Sequence, residues 1–418
     1  MKRDYRVSVA VGVMSAVCWQ CIEDEYLKKI VQKRGKAAKC TLCDSKRKAF
    51  TAEDLAEVVD PIMREHFEPG EDVKKFGEDD EEWWEQEGDP LDHHLQEVIG
   101  QYLGFEDEVV TALEERDPAR PQDGDIPFYD SSQDYVSTPI RPYAYYEEWN
   151  YVSEDLKHRR RFFSSAASNL FEKVFEDVET RTSRNSETGA EEKVAWEMPE
   201  GSLFFRARIC HSHSLIKDAY KEPLKHLGPP PPDLARAGRM NVDGVVVFYG
   251  ALDRDTCLAE TRPAIGNDIA VIQLRTNRPL RFLDFRRLEK AYNRLSYFQP
   301  DFTEQVERGA FLRRLQNLIS QPVIPGREMD YLITQTMAEY LAHVHIPIFD
   351  GILFKSVQQS DGTNIVLFQN ERDDFPLAYV DQSFELWSTS SVEYKHRKRY
   401  VGEHDGEVWV SHEDGDEW

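Results

Sequence analysis

A chain of 418 residues with 77 acidic and 52 basic side chains, a formal charge of −25, has material for two to four domains with buried cores. That balance argues against a general nucleic-acid binder, which needs clustered Lys and Arg to release phosphate counterions, so no nucleic-acid partner is expected. No stretch approaches the run of about 18 apolar residues a membrane helix needs, so no membrane partner is expected and the protein is read as cytoplasmic.

The charge is unevenly spread. Residues 1–50 hold 12 basic and 5 acidic side chains, whereas residues 51–130 hold 5 basic and 27 acidic. Met1-Lys2-Arg3 followed by VSVAVGVMSAVC has the outline of an export signal, but Asp4 and Arg6 interrupt its start, and Met14 is an alternative start. The cysteine ending that stretch belongs to a better pattern. Cys18-x-x-Cys21 and Cys40-x-x-Cys43, with eighteen residues between the pairs, have the spacing of a four-thiolate zinc site. The intervening EDEYLKKIVQKRGKAAK reads as a short helix with Tyr26, Leu27, Ile30 and Val31 on one side, ended by Gly35. Two disulfides or free thiols are the alternative, disfavoured because the other two cysteines are solitary and nothing suggests an oxidising compartment. With all four positions filled by protein the zinc is structural, so residues 1–50 are expected to be a small metal-held module.

Residues 51–182 read as an acidic helical domain. In PLDHHLQEVIGQYLG, Leu91, Leu95, Val98, Ile99, Tyr102 and Leu103 keep helical spacing; in SEDLKHRRRFFSSAASNLFEKVFEDV, Phe163, Ala167, Leu170 and Val174 do so, with Ser153 as N-cap. The acidic run EDDEEWWEQEGD and the Pro- and Tyr-rich stretch after it read as solvated loops. Residues 183–198, within a hydrophilic stretch, read as a linker. Beyond it the texture changes to short β-rich runs (LFFRARI, GVVVFYGAL, DIAVIQLR, DGILFKS, TNIVLF, PLAYV) interleaved with helices such as YLITQTMAEYLAHV, an α+β domain over 199–380. Residues 381–418 read as an extension with a frayed acidic tail.

The blocks LFFRARI, GRMNVDGVVVFYGALDRDTCLAETR, DYLITQTMAEYLAHVHIPIFDGILFKS and DGTNIVLF, in this order, resemble the RES family, named for its arginine, glutamate and serine. RES proteins are known chiefly as toxins of bacterial toxin–antitoxin pairs, with an ADP-ribosyltransferase-like fold and an activity that destroys NAD by hydrolysis or phosphorolysis. The resemblance implies that Arg206, Arg239, Tyr249, Glu260 and Ser356 stand at active-site positions; Asn241 and Asn364 also fit the family's blocks, either as contacts that hold NAD or as hydrogen bonds that hold the loops. It also implies a defence role, inorganic phosphate as a possible co-substrate, and an antitoxin or other regulatory protein as partner. CIEDEYLKKI with its paired cysteines resembles, more loosely, the N-terminal domain found ahead of RES domains and related to the HEPN helical superfamily. The Arg-to-His spacing of HEPN ribonucleases occurs only from Arg206 to His211 or His213 and from Arg208 to His213, on and just after a predicted strand, so the helical part is expected to scaffold or regulate.

The residue types support the same chemistry. NAD carries two phosphate charges and a nicotinamide that is already cationic, so its glycosidic bond breaks without a general acid. A single carboxylate, Glu260, suffices to stabilise the oxocarbenium-like transition state. Arg206 and Arg239 suit the pyrophosphate or incoming phosphate, Tyr249 the nicotinamide ring, and Ser356 the carboxamide or a phosphate oxygen. Ser356 has no nameable base and is not read as a nucleophile. Singly, each has a bland reading as a surface or core-edge residue; their joint order carries the case. Transfer of ADP-ribose to a macromolecule shares the same step and is the alternative, followed by a non-catalytic zinc and helical interaction protein.

Overall fold

The computed structural model describes residues 15–76, 82–117, 119, 125–186, 188–292, 295–320, 328–369, 375–392, 401–404 and 407–410. Residues 1–14 of the export-signal outline, the start of the acidic run and the last residues of the tail lie outside them. Two compact units emerge: Met1–Val152 with Arg181–Glu191 and Glu289–Leu315, and Ser153–Thr180 with Glu192–Leu288 and Gln316–Trp418.

In the first unit, β1 (Ala16–Cys18), β2 (Lys36–Lys39) and β3 (Lys46–Thr51) form a sheet in the order β1-β3-β2. Helix α1 (Glu25–Arg34) lies between β1 and β2 in the chain, and Asp24 caps it by accepting from the Tyr26 and Leu27 amides. It stops before Gly35, as the sequence suggests, where a Cβ would come within 2.5 Å of the Val31 carbonyl. A capping box of Thr51 and Asp54 opens α2 (Ala52–His66). Then follow β4 (Phe67–Pro69), β5 (Asp72–Phe76), β6 (Glu82–Gln86), β7 (Asp89–Pro90), α3 (Leu91–Ile99), α4 (Glu106–Arg116) and β8 (Asp134–Ser137). Val17, Leu27, Val31 and Phe50 share one core with Leu55, Val59, Leu95, Leu113 and Tyr135. The expected division at residue 50 is therefore no packing boundary: the cysteine-bearing segment and helices α2 to α4 bury one another.

The acidic run is also corrected. Its described part forms β6, an antiparallel hairpin with β5, and Trp83 and Trp84 stay exposed. The helix expected from Ser153 is interrupted. Helix α5 (Tyr143–His158) runs through Ser153, and α6 (Ser165–Phe175) starts afresh at the Ser164 cap, whose hydroxyl accepts from the Ala167 amide. Phe163 falls between them and is 96% exposed, while Ala167, Leu170 and Val174 are buried. Helical spacing placed Phe163 on the apolar face, but the break removes it. Phe163→Ser is accordingly expected to change unfolding free energy by less than about 0.5 kcal/mol, measured by thermal melting.

The expected linker is largely strand. Thr182–Arg184 is β9, Glu191–Lys193 is β10, and Ala195–Met198 is β11, the first strand of the large sheet. The second unit continues with β12 (Leu203–Cys210), α7 (His213–Lys221), α8 (Pro223–Leu227), β13 (Val247–Ala251), α9 (Arg254–Glu260), β14 (Asp268–Thr276), β15 (Leu280–Asp284) and α10 (Phe285–Glu289). β16 (Ala291–Tyr292), which pairs with β9, and the start of α11 (Phe302–Ser320) belong to the first unit; α12 (Leu332–His343), β17 (Gly351–Lys355), β18 (Thr363–Phe368), β19 (Leu377–Tyr379) and β20 (Glu385–Ser388) belong to the second.

The large sheet runs β11-β15-β17-β18-β13-β12-β14-β19, with β20 also on β14; β15 and β17 are parallel and the other pairs antiparallel. The unit is thus mixed α/β, as the alternating runs suggested. Alternation puts Phe204, Phe248, Ile272, Leu274 and Ile365 into one core cluster, and Ala207, Ala251, Val271 and the Cys257 of α9 into a second. Two boundaries shift from the expected 199–380: residues 153–180 join this unit at its start, and β20 extends the sheet beyond 380. The tail expected to fray pairs Val401–His404 (β21) with Glu407–Val410 (β22).

Candidate active site

Strands β12 and β13 share a single register pair, Phe205 with Ala251. Where their ladder lapses, the Arg206 guanidinium instead donates to the Tyr249 carbonyl and lies over the Phe248 ring, 5.5 Å from its centroid. A cavity of about 310 Å³ opens here, lined by Arg206, Arg239, Tyr249, Glu260 and Asn364, with Cys257, Thr261 and Phe354 among the remaining walls. Asn364 is set by register: it faces Ala251 of β13 on one side and Phe354 of β17 on the other.

Glu260 ends α9, a helix started by the Asp253 carboxylate accepting from the Thr256 amide at 2.8 Å. Two side chains fix its carboxylate. Ser356, directly after β17, donates from Oγ to Oε1 at 2.5 Å, and Asn364 donates from Nδ2 to the same oxygen at 2.7 Å. Ser356 Oγ also accepts from the Gln358 and Gln359 amides, so its one hydrogen and its lone pairs are committed. Both bonds to Glu260 fall on Oε1, and Glu260 lines the cavity.

Arg239 sits on a loop built around Asn241. The Asn241 amide nitrogen donates to the carbonyls of Arg236, Val242 and Val245, and its Oδ1 accepts from the Tyr249 hydroxyl at 2.9 Å. That hydroxyl in turn accepts from the Met240 amide at 2.9 Å. Asn241 is 4% exposed and lines a separate cavity of about 320 Å³, and its hydrogen-bonding capacity is used inside the loop. Tyr249 lines the site, and its hydroxyl holds the loop. The methionine in GRMN is a core residue, 2% exposed. Gly238 is needed for close approach: a Cβ there would come within 2.7 Å of the Tyr249 hydroxyl and 2.8 Å of Asn241 Oδ1, two atoms already bonded to each other. Gly238→Ala should therefore destabilise the second unit by about 1–3 kcal/mol, read as a lowered melting temperature.

The electrostatics favour an anion. Burial, aided by the like charge of Arg208, pushes the Arg206 guanidinium down to about 10, and burial also holds Arg239 below its ordinary value. Burial pushes the Tyr249 phenol up to about 12 and the Cys257 thiol up to about 12, so both stay neutral. Arg206 Nε is buried with no hydrogen-bond partner. Two largely buried cations and a carboxylate bonded through one oxygen thus share this cavity. Arg208, the rival for Arg206, donates instead to the Gly228 carbonyl at 3.2 Å and does not line the cavity.

The cluster therefore brings together Arg206, Arg239, Tyr249, Glu260 and Asn364, places Ser356 behind Glu260, and leaves Asn241 behind the Arg239 loop. Cys257, Thr261 and Phe354 were not foreseen; their neighbours in the quoted blocks were the available signal, because a residue beside a site residue on a short helix or strand often shares its wall. A mixed α/β unit with an arginine-lined pocket and a braced carboxylate is the class defined by this geometry. Residues 204–389 match the family described as the RES domain. No curated protein and no solved structure matches the chain.

A second constellation lies in the first unit. The sulfurs of Cys18, Cys21, Cys40 and Cys43 lie within 4.8 Å of one another. Cys18 Sγ is 3.7 Å from both Cys21 Sγ and Cys43 Sγ, too far for a disulfide. A tetrahedron with zinc–sulfur bonds of about 2.3 Å has edges of about 3.8 Å, so the spacing suits zinc. The Cys18 amide donates to Cys40 Sγ at 3.3 Å. No helix among the described residues is long and apolar enough to cross a membrane.

Proposed function

We propose that the second unit cleaves the nicotinamide–ribose bond of NAD on an ADP-ribosyltransferase-like scaffold, passing the ribosyl group to water or inorganic phosphate. The observation that carries this reading is the carboxylate of Glu260, held through Oε1 by Ser356 and Asn364 in the wall of a cavity that two arginines also line. As the glycosidic bond breaks, its electron pair leaves with nicotinamide, which becomes neutral, and positive charge develops on the ribose. The carboxylate stabilises that charge with no reorganisation of its own. Arg206 and Arg239 neutralise the diphosphate, and the Tyr249 ring offers a face to the nicotinamide. Ser356 acts through Glu260: its hydrogen is donated to that carboxylate, which leaves it unsuited to be a nucleophile. Bacterial toxin or defence use, with an antitoxin or other protein restraining the activity, follows from the RES resemblance; the four cysteines hold structural zinc in a part resembling HEPN companions.

Proton NMR of the purified chain with NAD, with and without millimolar phosphate, tests the reading. Release of free nicotinamide is expected. The anomeric signal of ADP-ribose 1″-phosphate appearing only with phosphate identifies phosphorolysis, and phosphate-independent release with free ADP-ribose identifies hydrolysis. NAD left intact under both conditions counts against the proposal. Label from NAD retained on protein or nucleic acid would favour transfer.

A further inference from the structure

We infer that Thr334 and Gln335 are positioning residues for Arg239, an inference that rests on the NAD-cleaving reading. The loop that presents Arg239 turns three carbonyls toward α12. Thr334 Oγ1 donates to the Arg239 carbonyl at 2.7 Å, the nearer of two acceptors for its hydrogen (the Tyr331 carbonyl lies at 3.0 Å), and Gln335 Nε2 donates to those of Gly238 and Asn241 at 2.8 and 3.0 Å. The two residues are 4% and 8% exposed, beside Ile333, Met337, Ala338 and Leu341 on a helix that otherwise buries apolar side chains. Buried polar groups at such positions are costly unless fully bonded. Both hydrogens of the Gln335 amide are used on this one loop. Packing alone would be served by a leucine; the glutamine is explained by the carbonyls it holds.

Other ties hold the loop within itself, among them Ala237 donating to the Asp243 carboxylate and Gly238 to the Asn241 carbonyl. Asn241 bonds to Arg236, Val242 and Val245 and so fixes the internal shape of the loop, and the Tyr249 hydroxyl anchors Met240 to β13. The α12 bonds, almost a hundred residues away in the chain, add the second anchor and stop the loop from pivoting about Tyr249. Pivoting matters because a guanidinium shifted by about 1 Å from a diphosphate can cost about 100-fold in rate.

The test is a double-mutant cycle on the full chain with NAD turnover as readout. Gln335→Ala is expected to lower kcat/KM by about 10- to 100-fold in the wild-type background and to have no further effect in Arg239→Ala. Thr334→Ser, which keeps the hydroxyl, should retain near wild-type turnover, whereas Thr334→Val should lose it. Additive effects of Gln335→Ala and Arg239→Ala would overturn the positioning role. Hydrogen exchange provides a readout independent of activity: amides of residues 236–246 should exchange at least about tenfold faster in Gln335→Ala while β13 and β18 are unchanged. Unchanged exchange in the loop refutes the grip of α12; accelerated exchange in a chain that leaves NAD intact supports the grip and refutes the NAD reading.

Discussion

Glu260→Gln should abolish about 99 to 99.9% of nicotinamide release while leaving the melting temperature nearly unchanged, an effect of the size seen when one preorganised electrostatic group is removed from a site. The hydrogen bonds around the carboxylate explain both halves. Ser356 Oγ and Asn364 Nδ2 are donors to Oε1, so a glutamine at 260 must present its carbonyl oxygen to them; the opposite flip would set its amide against the Asn364 amide. The fold then keeps its bonds, and the NH2 group takes the place of Oε2. There it offers partial positive charge to a ribose that is itself becoming positive. Asn364→Ala and Ser356→Ala should each cost less than Glu260→Gln, because each removes one of two braces and spares the charge. The measurement is nicotinamide release by proton NMR beside a thermal melt. A stable Glu260→Gln chain that turns over NAD at the wild-type rate would remove the carboxylate from the mechanism.

The second large effect concerns the four-sulfur cluster. The purified chain is expected to contain one zinc per molecule, and Cys40→Ser is expected to lose that metal and to melt well below wild type. Apparent zinc affinities of four-ligand structural sites correspond to about 10–16 kcal/mol. Here the cluster shares its surroundings with a larger core that includes Val17, Leu55 and Tyr135, so only part of that energy should appear as lost stability, about 3 kcal/mol or more. Cys18 and Cys40 are fully buried, and without a metal their sulfurs face one another with no hydrogen bonds strong enough to replace the bonds lost. Chelation should act in the same direction as Cys40→Ser. Cys210→Ser, outside the cluster, serves as the control and should leave zinc content unchanged. Elemental analysis with thermal melting decides the matter: a metal-free chain with the wild-type melting temperature excludes a structural metal here.

Much of this was legible from short-range pattern. Two Cys-x-x-Cys pairs each place two sulfurs on a single turn, so the cluster needs little more than a fold that brings the turns together. Helix α1 was readable because its apolar spacing, its acidic start and Gly35 all agree over some ten residues. The alternation of LFFRARI placed Arg206 and Arg208 on the same side of β12, and the neighbouring Gly228 carbonyl, not the sequence, separated their roles. Phe163 shows the limit of periodicity: its spacing is helical, but the chain turns between α5 and α6 and leaves it in solvent.

The sequence by itself determined which chemical groups are present and in what order along the chain: four thiols at metal spacing, two arginines, a glutamate, a serine and an asparagine in blocks resembling RES. Only the tertiary structure decided which of their atoms remain available. Ser356 and Asn364 reach Glu260 across 96 and 104 residues, and those bonds convert one from a candidate ligand contact into a brace and leave the other both brace and wall. Asn241, named with them, is spent within its own loop. Tertiary packing likewise joined the cysteine segment to the acidic helices in one core and drew residues 153–180 into the second unit. The physical reason is common to these cases. Spacing along a strand or helix fixes the direction of a side chain, whereas the saturation of a polar group and the burial of an apolar one depend on partners distant in the chain, which no local pattern encodes.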